Sequence, residues 1–447
     1  MNEKIVIIGN GFDLRHFLPT KYNHLITILR EIERLNENCT SVSFYDLFSS
    51  SFKDNEEWFY NNICKFYNTN LIVFDVNNIK SIQNRLVDNK WYQYLKTVED
   101  SKIETWIDFE TEINRVLVSI DLFFDEYERS PEDRKLGAIL DDKNNCICFG
   151  IENDDYKRVF KNKLYYNTLV NFHLFICHGE ISVANPKYVL ELEGEMQYFR
   201  EKKFFDFLYN ELEKFIGIFN DYIVSIITPF YNHFIEEKKD YFIKNEGNFL
   251  FKNVNRIVSF NYTQTFSELY KEKDIISNTI NKLLLSYPEQ EYIHGKSNPN
   301  WGNNTENLEI VLGVSDISDY LKKQKLFQFT KYFQKLHKRT DYLFLNEVVE
   351  DVKLKKHASG KDFQNRTFYF WGHSLDSSDG DYIKEVFYIV ENTESTICVF
   401  YHSISGKADQ LKNLLNIIHK DIIEHLMKDK RLKFVESTFE NLYAELA

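Results

Sequence analysis

The chain has 447 residues, with 55 Lys+Arg against 68 Asp+Glu, and its net charge of −13 argues against a protein whose main task is coating nucleic acid, which needs a basic face. It carries only 15 Gly and 6 Pro, where average usage of about 7% and about 5% gives roughly 54 of the two together. Long flexible linkers, turn-rich solenoids and collagen-like segments are thereby excluded as major components, and 43% apolar residues exclude a largely disordered chain.

Residues 4–8 (Lys-Ile-Val-Ile-Ile) form a short apolar run ending on Gly9-Asn10-Gly11, which predicts a buried parallel strand feeding a turn and a helix. Thr20 is placed to cap a second helix running from Tyr22 to about Asn36. From about 40 to 250 the pattern is mostly helical, with Phe and Tyr recurring at three- and four-residue spacing. Its most apolar stretch, 215–234, is broken by Asn220, Asp221, Pro229, Asn232 and His233, so it reads as a buried helix rather than a membrane span. Strand-like runs return at 256–260, 291–293, 308–312, 367–371 and 396–400, with helices expected over 381–390 and 408–418.

Alternating strands and helices predict an α/β fold, a mostly parallel sheet with helices on both faces. The division that follows is a nucleotide-binding core from 1–40 and 251–447, interrupted by a large helical insertion at 41–250. The six cysteines (39, 64, 146, 148, 177 and 398) include no Cys-x-x-Cys pair, and no secretory leader precedes the first strand, so they read as reduced thiols of a cytoplasmic protein.

In such sheets ligands bind outside the carboxyl ends of the strands, which selects four sites. Gly9-Asn10-Gly11-Phe12-Asp13 is either a phosphate-accepting turn or a plain tight turn. Asn261, closing the run Ser259-Phe260-Asn261-Tyr262-Thr263, offers an amide that donates and accepts, or caps the next helix. His294, followed by Gly295, is a strand-end histidine or a core one. Gly372-His373-Ser374-Leu375-Asp376 is the fourth, after which Ser378 or Asp379 reads as a helix cap. Gly9, Gly11, Gly295, Gly313 and Gly372 all fall at or just beyond strand ends, marking where backbone would approach a ligand.

These motifs resemble the AbiH family of phage abortive-infection proteins. The residues that carry the resemblance are Gly9-Asn10-Gly11-Phe12-Asp13-Leu14 with Leu18-Pro19-Thr20-Lys21-Tyr22, Trp106-x-Asp108-x-Glu110, Ser259 to Thr263, Ile293-His294-Gly295 and Gly372 to Asp376. Family members usually have Gly before Leu-Pro, where this chain has Phe17. The motif order is more distantly similar to the sirtuin-type (SIR2-like) Rossmann-like NAD-binding fold, although the four-Cys zinc module of sirtuin deacetylases has no counterpart and no metal is expected.

The resemblance implies an antiviral abortive-infection effector that binds NAD as substrate and hydrolyses it at the nicotinamide–ribose bond. In that reading Asn261 and His294 are catalytic, with Asn261 holding a ribose hydroxyl or the attacking water and His294 accepting its proton. Gly9, Asn10, Gly11, Phe12, Asp13, Gly372, His373 and Ser374 would bind the cofactor. Asp108, Glu110 and Asp376 are open to acid/base or structural roles, Asp108 as a cap for the helix after it. The expected partner is a small-molecule nucleotide, without a membrane; a phage-derived or protein trigger and a homo-oligomer are compatible with this.

Two alternatives stand beside it. A metal-dependent nuclease effector would use the acid-free run Lys322, Lys323, Lys325, Lys331, Lys335, Lys338 and Arg339, although such a run is more often a solvated helix face and gives no strong nucleic-acid signal. A non-catalytic nucleotide-binding sensor would use the same strand ends without turnover.

Overall fold

The computed structural model describes residues 2–100, 109–129, 148–150, 163–178, 181–191, 197–235, 238, 244–245, 248–251, 253–270, 288–340, 343–357 and 364–446. Its centre is a sheet of six strands, all parallel: β1 (Glu3–Ile8), β2 (Arg256–Ser259), β3 (Glu289–Tyr292), β4 (Arg366–Trp371), β5 (Thr396–Tyr401) and β6 (Leu432–Glu436). The spatial order is β3-β2-β1-β4-β5-β6, the doubly wound Rossmann-type order, whose direction reverses between β1 and β4. In-register pairing sets Ile8 beside Ser259 on one side and beside Trp371 on the other, so these three strand ends lie level at one rim.

Alternation along the strands creates two apolar layers. Val6, Ile8, Ile257, Tyr369, Trp371 and Phe400 join one core with helices from the stretch between β1 and β2. Ile5, Ile7, Val258, Phe368, Phe370 and Val399 face the other core, under helices nearer the carboxyl end. The helices that matter for the site are α1 (Asn10–Arg15), α2 (Tyr22–Arg34), α3 (Phe109–Arg129), α4 (Glu201–Tyr222), α5 (Lys331–Lys338), α6 (Gly380–Glu391) and α7 (Ile404–Ile417).

Several local expectations change. Lys21, not Thr20, precedes α2, because the Thr20 hydroxyl donates to Asn10 Oδ1 at 2.7 Å. Phe17 adopts a left-handed φ of 55°, a conformation that glycine takes without steric cost. The run at 308–312 is a buried loop, not a strand: Val311 N donates to the His294 carbonyl, Lys338 Nζ to the Ile310 carbonyl, and the Gln334 amide brackets Leu312. The run at 215–234 is helical and buried as expected, α4 passing into a π-helical turn at Ile223–Ile227 and a short helix at Thr228–Asn232. Among the described residues no helix is long and apolar enough to cross a membrane, and Cys39, Cys64 and Cys398 are unpaired.

α4 is anchored to the loop that follows His294-Gly295. Asp221 accepts from Trp301 Nε1 at 2.7 Å and pairs with Arg85, while Asn220 exchanges two hydrogen bonds with the Asn298 backbone. On the same turn of α4, Tyr222 donates its hydroxyl to the Pro19 carbonyl at 2.6 Å, in the segment between α1 and α2.

Candidate functional site

Where the strand order reverses, the turn after β1 and the loop after β4 touch backbone to backbone. Gly9 N donates to the Trp371 carbonyl at 3.1 Å and Gly11 N to the Gly372 carbonyl at 2.8 Å. A Cβ on Gly372, whose φ is 66°, would lie 2.3 Å from Phe12 N, and one on Gly9 would lie 2.7 Å from the Gly372 oxygen. Glycine is required there because no side chain fits between the two loops. The five strand-end glycines of the sequence reading all approach protein backbone in this form of the molecule.

Asn10 is paired with Thr20, and Phe12 is buried with its ring edge-on to Trp371 at 5.0 Å. Asp13 faces inward: Oδ2 accepts from Thr263 Oγ1 at 2.6 Å, Thr265 donates to Thr263, and Tyr231 shares a hydrogen bond with Thr265. Asp13 Oδ1 is buried with no hydrogen-bond partner among the described residues. Burial pushes the carboxyl up to about 6, against the hydrogen bond from Thr263.

Asn261 does not cap a helix. Its Nδ2 donates to the Gly9 carbonyl at 3.0 Å and its backbone N–H to Ser259 Oγ, tying the ends of β2 and β1 together. Asp13, Ser259, Thr263, Thr265 and Tyr292 line a crevice of about 220 Å³. None of that space is wide enough for a water molecule, so the crevice is closed in this structure.

The Asp13 environment predicts a pH signature. A carboxyl with a folded pKa of about 6 against an ordinary 3.8 favours folding when protonated. Its contribution is fully present below the ordinary value and is lost as pH rises through about 6. Two pKa units correspond to about 3 kcal/mol. Asp13→Asn keeps the acceptor for Thr263, so wild type should lose about 3 kcal/mol relative to the variant between pH 4 and pH 7 in urea titrations. A pH-independent difference between the two proteins would refute the assignment.

The second group lies at the ends of β3 and β4. His294 Nε2 donates to Asp379 Oδ1 at 3.0 Å, and Lys331 Nζ reaches the same oxygen at 3.1 Å. His373 Nε2 stands 3.5 Å from Asp379 Oδ2, its Nδ1 accepting from the Leu375 N–H at 3.0 Å, so the proton is on Nε2. The Phe260 ring is edge-on to both imidazoles, 5.2 Å from His294 and 4.7 Å from His373. The two groups are contiguous through Gly9, which accepts from Asn261 and abuts the His373 backbone.

Electrostatics sharpen the picture. Burial and then the Lys331 ammonium push His294 down to about 3, against the pull of Asp379. Its imidazole is therefore neutral at pH 7, with Nε2 protonated and Nδ1 buried and without a hydrogen-bond partner among the described residues. An unperturbed imidazole titrates near neutrality, and this environment holds His294 well below that. Burial opposes the Asp379 charge, yet Lys331 and His294 hold the carboxylate well below its usual range. Burial also opposes the Lys331 charge, and Asp379 and Glu110 more than restore it.

Asp379 and Lys331 are the residues that sequence reasoning missed. Asp379 stands at the cap position of α6 but makes no side-chain cap bond, its carboxylate being turned to the histidines and Lys331. The solvated-face reading of Lys331, Lys335 and Lys338 is reversed: α5 buries them on Glu110 and Asp379, over the Tyr382 ring, and on Glu213, and exposes Tyr332, Phe333 and Leu336. Of the remaining candidates, Ser374 is exposed, Asp376 caps the turn Ser377–Asp379, Glu110 pairs with Lys331, and Asp108, like Trp106, lies outside the described residues.

A family model described as "Bacteriophage abortive infection AbiH" matches residues 5–401, which takes in every site residue above and stops short of β6. Comparisons with curated proteins and with solved structures give no match.

Proposed function

The chain belongs to the AbiH family of bacteriophage abortive-infection proteins, and for its part in that defence we propose the hydrolysis of NAD at the bond between nicotinamide and ribose. The observation that carries this reading is His294: a neutral imidazole at a strand end, with Nε2–H held by Asp379 and a buried Nδ1 lone pair that has no hydrogen-bond partner among the described residues. The Rossmann-type strand order supports it, because dinucleotides bind such sheets at the carboxyl ends, where the order reverses.

The chemistry asks little of the protein. The C1′–N bond breaks with its electron pair going to nicotinamide, which leaves neutral and needs no general acid. An oxocarbenium-like ribose is captured by water, whose oxygen bonds to C1′, and the proton of the oxonium so formed, acidic enough for a base held at about 3, passes to His294 Nδ1. Asp379 stabilises the imidazolium so formed, as a carboxylate does for a catalytic histidine. Asn261 is the group that orients a ribose hydroxyl or the water. A dinucleotide needs more room than the closed crevice offers, so binding parts the Gly9–Gly11 turn from the Gly372 loop.

The nuclease reading loses Lys331, Lys335 and Lys338, which turn inward, and keeps only Lys323, Lys325 and Arg339 exposed. In cells infected by a phage that the wild-type protein restricts, we expect NAD to fall before lysis, and cells carrying Asn261→Ala to keep both their NAD and their phage sensitivity. Restriction by Asn261→Ala, or restriction with nucleic acid cleaved and NAD intact, would overturn the proposal.

A further inference from the structure

Glu110 belongs to a motif whose role the sequence left open, and it lies on α3, between β1 and β2, far along the chain from His294. Its Oε2 is 2.5 Å from Lys331 Nζ, and both side chains are only 12% exposed. The same ammonium reaches Asp379 Oδ1 at 3.1 Å, the oxygen that accepts the His294 Nε2–H at 3.0 Å. Imidazole and ammonium thus share one acceptor, and Glu110 is the second anion on the ammonium.

We propose that Glu110 is a positioning residue for His294: by drawing the Lys331 ammonium toward itself it leaves Asp379 Oδ1 to the imidazole, which fixes the proton on Nε2 and the lone pair on Nδ1. Without the Glu110 charge, Asp379 becomes the ammonium's remaining strong anionic partner in this group, and Lys331 displaces the imidazole from the shared oxygen. The His294 proton then loses its reason to sit on Nε2, because a neutral imidazole takes whichever tautomer its hydrogen bonds select. Among the described residues, the charged and titratable groups around His294 are Asp379, Lys331, Lys335, His373, Tyr262 and Tyr382, and none of these donates to Nδ1.

The stretch between β1 and β2 is thereby wired to the imidazole. A displacement of α3 changes which nitrogen of His294 carries the proton, without contact between α3 and the ring. The catalytic consequence rests on the proposed NAD hydrolysis; the proton position does not.

The test is nitrogen NMR of protein labelled with ¹⁵N-histidine at pH 7, with the His294 signals assigned by their loss in His294→Gln. Wild type is expected to show Nε2 protonated and Nδ1 bare. Glu110→Gln should show a second population with the proton on Nδ1. The double variant Glu110→Gln/Lys331→Met, which removes competitor and partner together, should return to the single wild-type tautomer. The double variant leaves the Asp379 carboxylate only the two imidazole N–H groups, so Glu110→Asp, which keeps an anion beside Lys331, is the companion variant and should retain the single wild-type tautomer in a folded protein.

A wild-type tautomer in Glu110→Gln, or a mixed one in the double variant, overturns the proposal. In nicotinamide-release assays kcat should fall in Glu110→Gln by the fraction of correct tautomer lost, with KM unchanged, and recover in the double variant. An absence of nicotinamide release from wild type would defeat the functional reading while leaving the tautomer result to stand or fall alone.

Discussion

His294→Gln is expected to slow nicotinamide release from NAD by about 10²–10⁴-fold, the usual contribution of a positioned general base. The substitution suits the geometry. A glutamine amide can donate to Asp379 Oδ1 as Nε2–H does now, so the carboxylate keeps its partner while the basic Nδ1 lone pair is removed. His294→Ala should show the same catalytic loss together with a loss of about 1–3 kcal/mol in urea unfolding, because Asp379 is left with a buried acceptor site unfilled. Initial rates and urea midpoints, measured on both variants, separate the two effects. Rates in His294→Gln within a few fold of wild type would remove His294 from the reaction.

Gly372→Ala should be among the most damaging single-methyl additions in the chain. The added Cβ would lie 2.3 Å from Phe12 N and 2.5 Å from the Gly11 carbonyl carbon, in a backbone with φ of 66°. A left-handed alanine costs about 1–2 kcal/mol. Forcing apart a packed contact costs about 1–3 kcal/mol more. The expected loss of about 2–5 kcal/mol is a large share of the 5–15 kcal/mol that stabilises a typical domain. Gly302→Ala is the control, since its φ is 65° but nothing lies within 4 Å of the added carbon. It should cost only the conformational part, about 1–2 kcal/mol. Equal urea midpoints for the two variants would mean that the close approach of the β1 and β4 loops is not what requires glycine at 372.

Much of the fold was legible because buried parallel strands announce themselves. The runs at 4–8, 256–260, 367–371 and 396–400 are continuous and apolar, and each became a central strand, whereas β6, Leu-Lys-Phe-Val-Glu at an edge, alternates and escaped notice. The run at 308–312 misled for a physical reason. It is buried like a strand, but side chains of α5, Tyr262 and Thr340, with backbone bonds to His294 and Thr305, meet its polar groups in place of a ladder.

The strand-end positions of the candidate residues were legible in the sequence, and their wiring was not. Strand-end position picked out Asn261 and His294, yet nothing local reveals that Asn261 would bond to Gly9 or that burial would carry His294 down to about 3. The lysines of α5 show the same limit. Helical periodicity gives their shared face, but which way that face points is decided by Glu110, Glu213 and Asp379, carboxylates contributed by three separate segments. Asp379 was hidden by a second local rule, since Ser-Asp-Gly-Asp before a helix reads as a cap, and only the fold shows its carboxylate turned away from the helix amides.

Whether the chain breaks the nicotinamide–ribose bond is decided by the products of purified protein incubated with NAD, resolved by mass. Wild type should release nicotinamide and ADP-ribose in equal amounts, and Asn261→Ala/His294→Gln should release neither. NAD recovered intact after binding to wild type, or equal product release by the double variant, would contradict hydrolysis at this site.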